Sequence, residues 1–479
     1  MISIKDLSLK LSPVSAFRNF NWEVRDGQNW LITGPSGSGK SALLKILDGT
    51  LYGFSGGITH HFGNHASHSA FELKKYAAFA FFKDKQITYK DFYYQQRYNS
   101  SDVEGTFTVR DFIFKGQKPH HQDFLKELTD KLKVGNLLNR EFIKLSNGET
   151  RKAFIIKALL KNPRILFLDN PYRGIDVPGR QVVNELINRI ASEGIQVIMT
   201  GSTLEYPSSM THILDLGQGQ EGYAGKLTDY TCPPPGEIPS PPDFPFGENP
   251  APDSEIAFRF THLTVRYGQT TIIDQLNWTV KEGEKWVLSG TNGSGKSMLL
   301  SLVFADHPQA YANEIIIFGK KRGKGSSIWE IKEKMAYVSP EMQCYFDANK
   351  TIEAVFASVL NENPYNKKPF TGQHKRFSMA LLDYFGKEHL IRENFGTIST
   401  GEQNLVLFLR ALMKNTPLLL LDEPFQDFDR EMVEKAKRIL GEYIKNRTLV
   451  MITHKKEEIP DMTTRFAELK DGKLLHQLT

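Results

Sequence analysis

The sequence predicts an α/β protein made of two copies of one unit, each a mostly parallel sheet covered by helices. Three observations carry that expectation. "FNWEVRDGQNWLITGPSGSGKSALL", from Phe20, lies without a gap over "LNWTVKEGEKWVLSGTNGSGKSMLL", from Leu276, with 13 identities in 25 positions at an offset of 256. Self-similarity of that length marks a duplication. Apolar runs such as "RILFLD", "IQVIMT", "PLLLLD" and "TLVMIT" show no polar alternation, as expected of strands buried on both faces of a parallel sheet. Between the copies runs "TCPPPGEIPSPPDFPFGENPAPD", in which 9 of 23 residues are proline. Such a stretch cannot supply the backbone donors of a helix or inner strand and is expected to be an extended, fairly stiff tether. The expected organisation is therefore a first domain over 1–230, a linker over 231–253 and a second domain over 254–479.

Composition narrows the function classes. A chain of 479 residues suits roughly two to four domains, and 40% hydrophobic with 24% charged residues fits a folded protein. The net charge of +5 gives no support to nucleic-acid binding, and the basic stretch from Gly319 to Gly325 reads as a solvated turn between strands. Cys232 and Cys344 share no metal-ligand spacing, which suggests a reducing, cytoplasmic setting. No run approaches the ~18 apolar residues that cross a bilayer, and the start "MISIKDLSLK" lacks the apolar core of an export signal. Peripheral association with the inner face of the cell membrane stays open.

"GPSGSGKS" (Gly34 to Ser41) and "GTNGSGKS" (Gly290 to Ser297) each fit GxxxxGK[ST], follow an apolar strand and open a helix-like run. Backbone N–H groups of Gly34, Ser36, Gly37, Ser38 and Gly39, and of Gly290, Asn292, Gly293, Ser294 and Gly295, are expected to curl round nucleotide phosphates. Lys40 and Lys296 add positive charge there, and Ser41 and Ser297 are candidate Mg²⁺ ligands. Asp169 and Asp422 end apolar strands, where a carboxylate can hold the same metal through water. The next residue differs between the copies. It is Asn170 in one and Glu423 in the other, and only a carboxylate can polarise an attacking water by accepting its proton.

Two further stretches narrow the reading. "LSNGE" (Leu145 to Glu149) and "ISTGEQ" (Ile398 to Gln403) precede helix-like runs upstream of Asp169 and Asp422. P-loop, this signature, the strand-end Asp and a following His resemble, in that order, the ATP-binding cassette (ABC) ATPases, and the resemblance covers almost the whole chain. The stretch from Ser301, "SLVFADHPQAYANEIIIFGKKRGKGSSIWEIKEKMAYVSPEM", is similar to the ModF-like branch of tandem cassettes, named for a link to molybdate transport.

The resemblance implies two ABC-type P-loop domains, each with a helical subdomain, that pair head to tail within the chain and sandwich two Mg·ATP. Each nucleotide then meets the P-loop of one copy and the signature of the other, so Ser146 with Gly148, and Ser399 with Gly401, would face a γ-phosphate. It further implies that Glu423 polarises water, His454 contacts the γ-phosphate and Tyr267 stacks on adenine. In the first copy Asn170 stands for Glu423, the alignment of "TLEYP" with "KEEIP" puts Gly201 for His454, and Leu11 falls at Tyr267, with Phe17 as the alternative. Hydrolysis is therefore expected mainly at the second P-loop, completed by the first signature. The loop Gln of the family falls at Gln95 or Gln96, but at Pro340 beside Glu341 in the second copy, and Glu149 and Glu402 stand where Gln is usual.

These features imply an ATPase that converts ATP and water to ADP and phosphate, and an energising subunit docking on membrane permease subunits, for molybdate or another small solute. The alternatives are an ABC protein acting on a macromolecule such as the ribosome, or a regulatory one with no permease. The short prolyl joint disfavours the ribosomal reading, because those proteins resemble one another in having a long charged helical linker.

Overall fold

The computed structural model describes the chain except residues 11–14, 63–64, 68–69, 82–106, 115–121, 132–133, 143–144, 146, 204, 218–220, 234–236, 246–253, 268–269, 305–306, 324–326, 345, 364 and 478–479. Gln95, Gln96, Leu11 and Ser146 thus lie outside the described residues. The chain forms two compact units, Met1–Pro234 and Pro235–Thr479.

In the first unit β1 (Ile2–Lys10), β2 (Ser15–Val24), β4 (Ser55–Phe62) and β5 (His65–Ser67) make an antiparallel sheet in the order β2-β1-β4-β5. The larger sheet joins β3 (Trp30–Thr33), β6 (Ala77–Phe81), β7 (Ile165–Asp169), β8 (Gln196–Thr200), β9 (His212–Leu216) and β10 (Glu221–Lys226), in the order β10-β9-β3-β8-β7-β6. Among the described residues its pairings are parallel except that of β10 with β9. The second unit repeats this plan. Its small sheet is β12-β11-β14-β15, from β11 (Ile256–Tyr267), β12 (Thr270–Lys281), β14 (Glu314–Ile317) and β15 (Lys320–Lys321). Its large sheet is β16-β17-β18-β13-β19-β20, from β13 (Lys285–Ser289), β16 (Met335–Val338), β17 (Leu418–Asp422), β18 (Thr448–Ile452), β19 (Arg465–Lys470) and β20 (Lys473–Gln477). The unbroken apolar runs are fully buried here: every residue of β8, β17 and β18 is inside, as covering both faces of a sheet requires.

Among the described residues each unit has two cores. In the second, Trp278, Phe258, Leu300 and Leu420 fill the space between the sheets, while Phe356, Leu381, Phe408 and Tyr443 bind the helices Ile352–Ala357, Gly372–Tyr384, Thr400–Leu412 and Arg430–Ile444 to the other face. The helix Arg430–Ile444 buries Val433, Ala436, Leu440, Tyr443 and Ile444, one stripe at helical spacing, and Asp429 caps its start by accepting from Met432 N.

Among the described residues of the proline-rich joint there is neither helix nor strand, but the joint is not a plain tether. Ile238 and Phe244 pack on the second unit's helical core, with the Phe244 ring 5.4 Å from Phe377 and 5.3 Å from Tyr443. Arg438 Nη1 donates to Ile238 O at 2.6 Å and Gln373 Nε2 to Pro245 O at 2.9 Å. Among the described residues no helix is long and apolar enough to cross a membrane.

Candidate functional site

The P-loops sit where the central strand of each large sheet runs out. Gly34 and Gly290 take φ 135° and 139°, and a Cβ there would lie 2.2 Å from Leu216 O and 2.4 Å from Leu469 O, so only glycine passes the neighbouring strand. The loops end at Gly39 and Gly295, which begin the helices Lys40–Leu47 and Lys296–Val303 in left-handed backbone without a side-chain cap. Uncapped N–H groups at a helix start are an anion site. Lys40 Nζ lies against Gly34 O and Pro35 O at 2.7 and 2.8 Å, and Lys296 Nζ holds Gly290 O and Thr291 O at the same distances.

In the first unit the strand-end carboxylate joins the P-loop directly. Ser41 Oγ donates to Asp169 Oδ1 at 2.8 Å, and Thr200 Oγ1, from the strand between, donates to the same oxygen at 2.9 Å. A hydroxyl and a carboxylate converging beside the loop are the oxygen donors a hard cation such as Mg²⁺ takes. Asp422, 5% exposed, ends β17 at the equivalent place, and Ser297 occupies the first turn of its P-loop helix.

The next residue turns the chain out of the sheet. Asn170 and Glu423 adopt left-handed backbone, φ 48° and 44°, anchored by Asn170 N to Thr200 Oγ1 at 2.8 Å and Glu423 N to Ile452 O at 2.9 Å. Asn visits this region readily; for Glu it is strained by about 1–2 kcal/mol. His454 Nε2 lies 3.2 Å from Glu423 Oε1, within ion-pair reach though off the line of a direct hydrogen bond. Burial alone would raise the Glu423 carboxyl, but His454, with Lys296 and Lys455, outweighs it and holds the group below the usual carboxylate range. An ionised carboxylate of that kind orients water more than it abstracts protons.

Sheet register corrects the alignment at the switch position. Ile198, Met199 and Thr200 pair with Trp30, Leu31 and Ile32, and Val450, Met451 and Ile452 pair with Trp286, Val287 and Leu288. The counterpart of His454 is therefore Ser202, not Gly201, because the first unit has one more residue between Asp176 and β8. Either way the imidazole is missing. Phe17 does not substitute for Tyr267: it pairs with Leu9 as Ile273 pairs with Val265, and is 1% exposed in the core. Tyr267 ends β11 half-buried, its hydroxyl 2.8 Å from His307 Nε2.

Ser399 begins the signature helix Thr400–Leu412 in a capping box, accepting from Glu402 N at 3.3 Å while Glu402 Oε2 accepts from Ser399 N at 3.0 Å. The extra negative charge expected of Glu402 is matched, since Lys387 Nζ pairs with Glu402 Oε1 at 3.0 Å; Arg140 pairs likewise with Glu149. Burial raises the Glu402 carboxyl, and Lys387 and Ser399 more than reverse it, leaving it below its ordinary value. Gly148 is the second residue of the corresponding first-unit helix, Asn147–Leu159, where a Cβ would lie 3.4 Å from Gly179 Cα. Gly401 is buried. Pro340 opens a one-turn segment, Pro340–Cys344, whose Gln343 Nε2 donates to Thr400 O at 3.4 Å. Neither Lys387 nor Gln343 carries a sequence signal.

The model of the family described as "ABC transporter" matches residues 17–173 and 273–426. An ABC transporter ATP-binding protein of Schizosaccharomyces pombe is 29% identical, over 96% of this chain and 96% of that protein. The Escherichia coli ABC transporter ATP-binding protein ModF is 30% identical, over 98% of this chain and 96% of its own. Among solved structures, the archaeal ribosome recycling factor aABCE1, in complex with the ribosomal stalk protein aP1, superposes with a TM-score of 0.56 at 20% identity, over 98% of this chain and 89% of that one. That last likeness is one of fold.

Proposed function

The chain belongs to the ABC transporter family of ATP-binding proteins and is an ATPase, and from that premise we propose that it holds two Mg·ATP between its paired units and hydrolyses mainly the one on the second P-loop. The observation that carries this is the Glu423–His454–Lys296 cluster, set against Asn170 and Ser202 at the same positions of the first unit. Lys296, Ser294 and the N–H groups of Gly290 to Gly295 bind the phosphates; Tyr267 receives the base. Ser297 and Asp422, with Ser41 and Asp169 in the first unit, would hold magnesium, which neutralises phosphate charge when bound. Glu423 orients the water for in-line attack, His454 steadies Glu423 and reaches toward the γ-phosphate, and the first signature, Ser146 with Gly148, closes the pocket from the opposite side. Loss of the carboxylate typically costs ~10²- to 10⁴-fold in rate while leaving phosphate contacts intact. The first nucleotide, held by Lys40, Ser36 and Ser38 against Ser399 and Gly401, is then retained as a structural tie.

We further propose that the ATPase energises transport of a small solute, molybdate among the candidates, through permease subunits of separate chains; the relatives matched over their full length are named as ABC transporter ATP-binding proteins, which supports a transport role. The protein would then sit in the cytoplasm, peripherally on the membrane. Steady-state turnover tests the assignment of sites. Glu423→Gln is expected to abolish nearly all ATP hydrolysis and Asn170→Ala to change it by less than about twofold; substantial turnover in Glu423→Gln overturns it.

A further inference from the structure

One buried contact recurs in both units with different chemistry. Five residues after each signature serine stand Arg151 in the first unit and Asn404 in the second. Arg151 Nη2 donates to Arg173 O at 2.8 Å, and Asn404 Nδ2 donates to Gln426 O at 2.7 Å. Donor and acceptor positions are each 253 residues apart between the units, so the same carbonyl is reached from the same helical position by a long charged side chain and by a short neutral one. Both donors are buried, at 8% and 5% exposure.

That carbonyl lies in the turn opened by the residue after the strand-end aspartate: Arg173 N donates to Asn170 O at 3.3 Å and Gln426 N to Glu423 O at 3.2 Å. In the second unit the brace extends further. Gln343 Nε2 donates to Asn404 Oδ1 as well as to Thr400 O, tying the Pro340–Cys344 segment to the signature helix. Asn404 uses its acceptor on one side and its donor on the other, which neither Asp nor Ala can do.

We infer that Asn404 is a positioning residue for hydrolysis, fixing the turn that carries Glu423 against the helix that carries Ser399, with Gln343 supplying the link from the segment where Pro340 has replaced the loop Gln. The inference rests on the proposed sandwich, in which Ser399 addresses the first nucleotide and Glu423 the second. The brace then connects the two nucleotides through one unit. In the first unit Arg151 holds the turn of Asn170, whose carboxamide cannot accept a proton from water.

The test is ATP-dependent turnover of the full chain carrying Asn404→Ala, Asn404→Asp or Gln343→Ala, with thermal unfolding measured alongside. A misaligned Glu423 should cost ~10- to 100-fold in kcat and leave KM within ~3-fold, since the P-loop is untouched. Asn404→Asp keeps the shape but turns an acceptor toward Gln426 O, so its kcat should fall at least as far as that of Asn404→Ala. Gln343→Ala should lose ~3- to 10-fold and add nothing in the Asn404→Ala background, as members of one network do. Wild-type kcat in Asn404→Asp or in Gln343→Ala overturns the inference; Gln343 is only half-buried, so that variant decides the matter even where Asn404→Ala fails to fold. Ser146→Arg separates the premises. If it leaves turnover intact, the sandwich reading fails; if it stops turnover while Asn404→Asp does not, the brace alone fails.

Discussion

At the residue after the strand-end aspartate both units keep one left-handed backbone and differ in the side chain, so the asymmetry of Asn170 and Glu423 was legible in the sequence. The partners of such residues were not. Lys387 precedes Glu402 by a loop of no recognisable pattern, yet it is what makes a buried carboxylate tolerable where the family usually has an amide. Removing the cation should leave that carboxylate uncompensated. Lys387→Met is therefore expected to destabilise the protein by ~1–3 kcal/mol, and Lys387→Met with Glu402→Gln to recover most of the loss. Urea unfolding of these two variants and of Glu402→Gln alone checks this; an additive second loss would contradict it. The switch position was misread by one residue because the extra residue lies in a helix-and-turn stretch without landmarks, and only strand pairing could reveal Ser202.

At the scale of elements, unbroken apolar runs and glycine loops specified strands and P-loops, because burial on two faces and close backbone approach admit few residue types. The joint was half legible. Prolines excluded helix and strand, but Ile238 and Phe244 are two apolar residues without a period, and their docking depends on a surface that other helices build. Phe244→Ala, at the edge of the core, should cost ~1–2 kcal/mol of stability, and a Gly/Ser replacement of residues 233–252 should show the same loss with ATPase activity kept within a few-fold. A collapse in activity with the Gly/Ser tether would instead make the docked segment part of the catalytic apparatus.

For the whole molecule, the proposed reading of two P-loops with one carboxylate between them, Glu423 against Asn170, carries the expectation of two nucleotides but one cycle. Equilibrium binding to Glu423→Gln should give close to two ATP per chain; one would contradict the two-site account. Acid should weaken the second unit in a defined window. Glu362 is raised by burial but held low by Arg410 and Lys414, and Glu402 and Glu423 are likewise held below the ordinary value of 4.5. Groups with depressed folded pKa contribute stability that is complete above the unfolded value and lost as pH falls through the folded one. Thermal midpoints should thus carry the full contribution of these groups, unchanged with pH, above pH 4.5 and drop below it, and a midpoint that stays constant on acidification to about pH 3 would contradict that. The central claim is that one competent site is completed by the other unit's signature. Comparing steady-state ATPase of Ser146→Arg and Ser399→Arg tests it most directly: Ser146→Arg should remove nearly all turnover and Ser399→Arg only part, whereas equal losses, or the reverse order, would contradict the account.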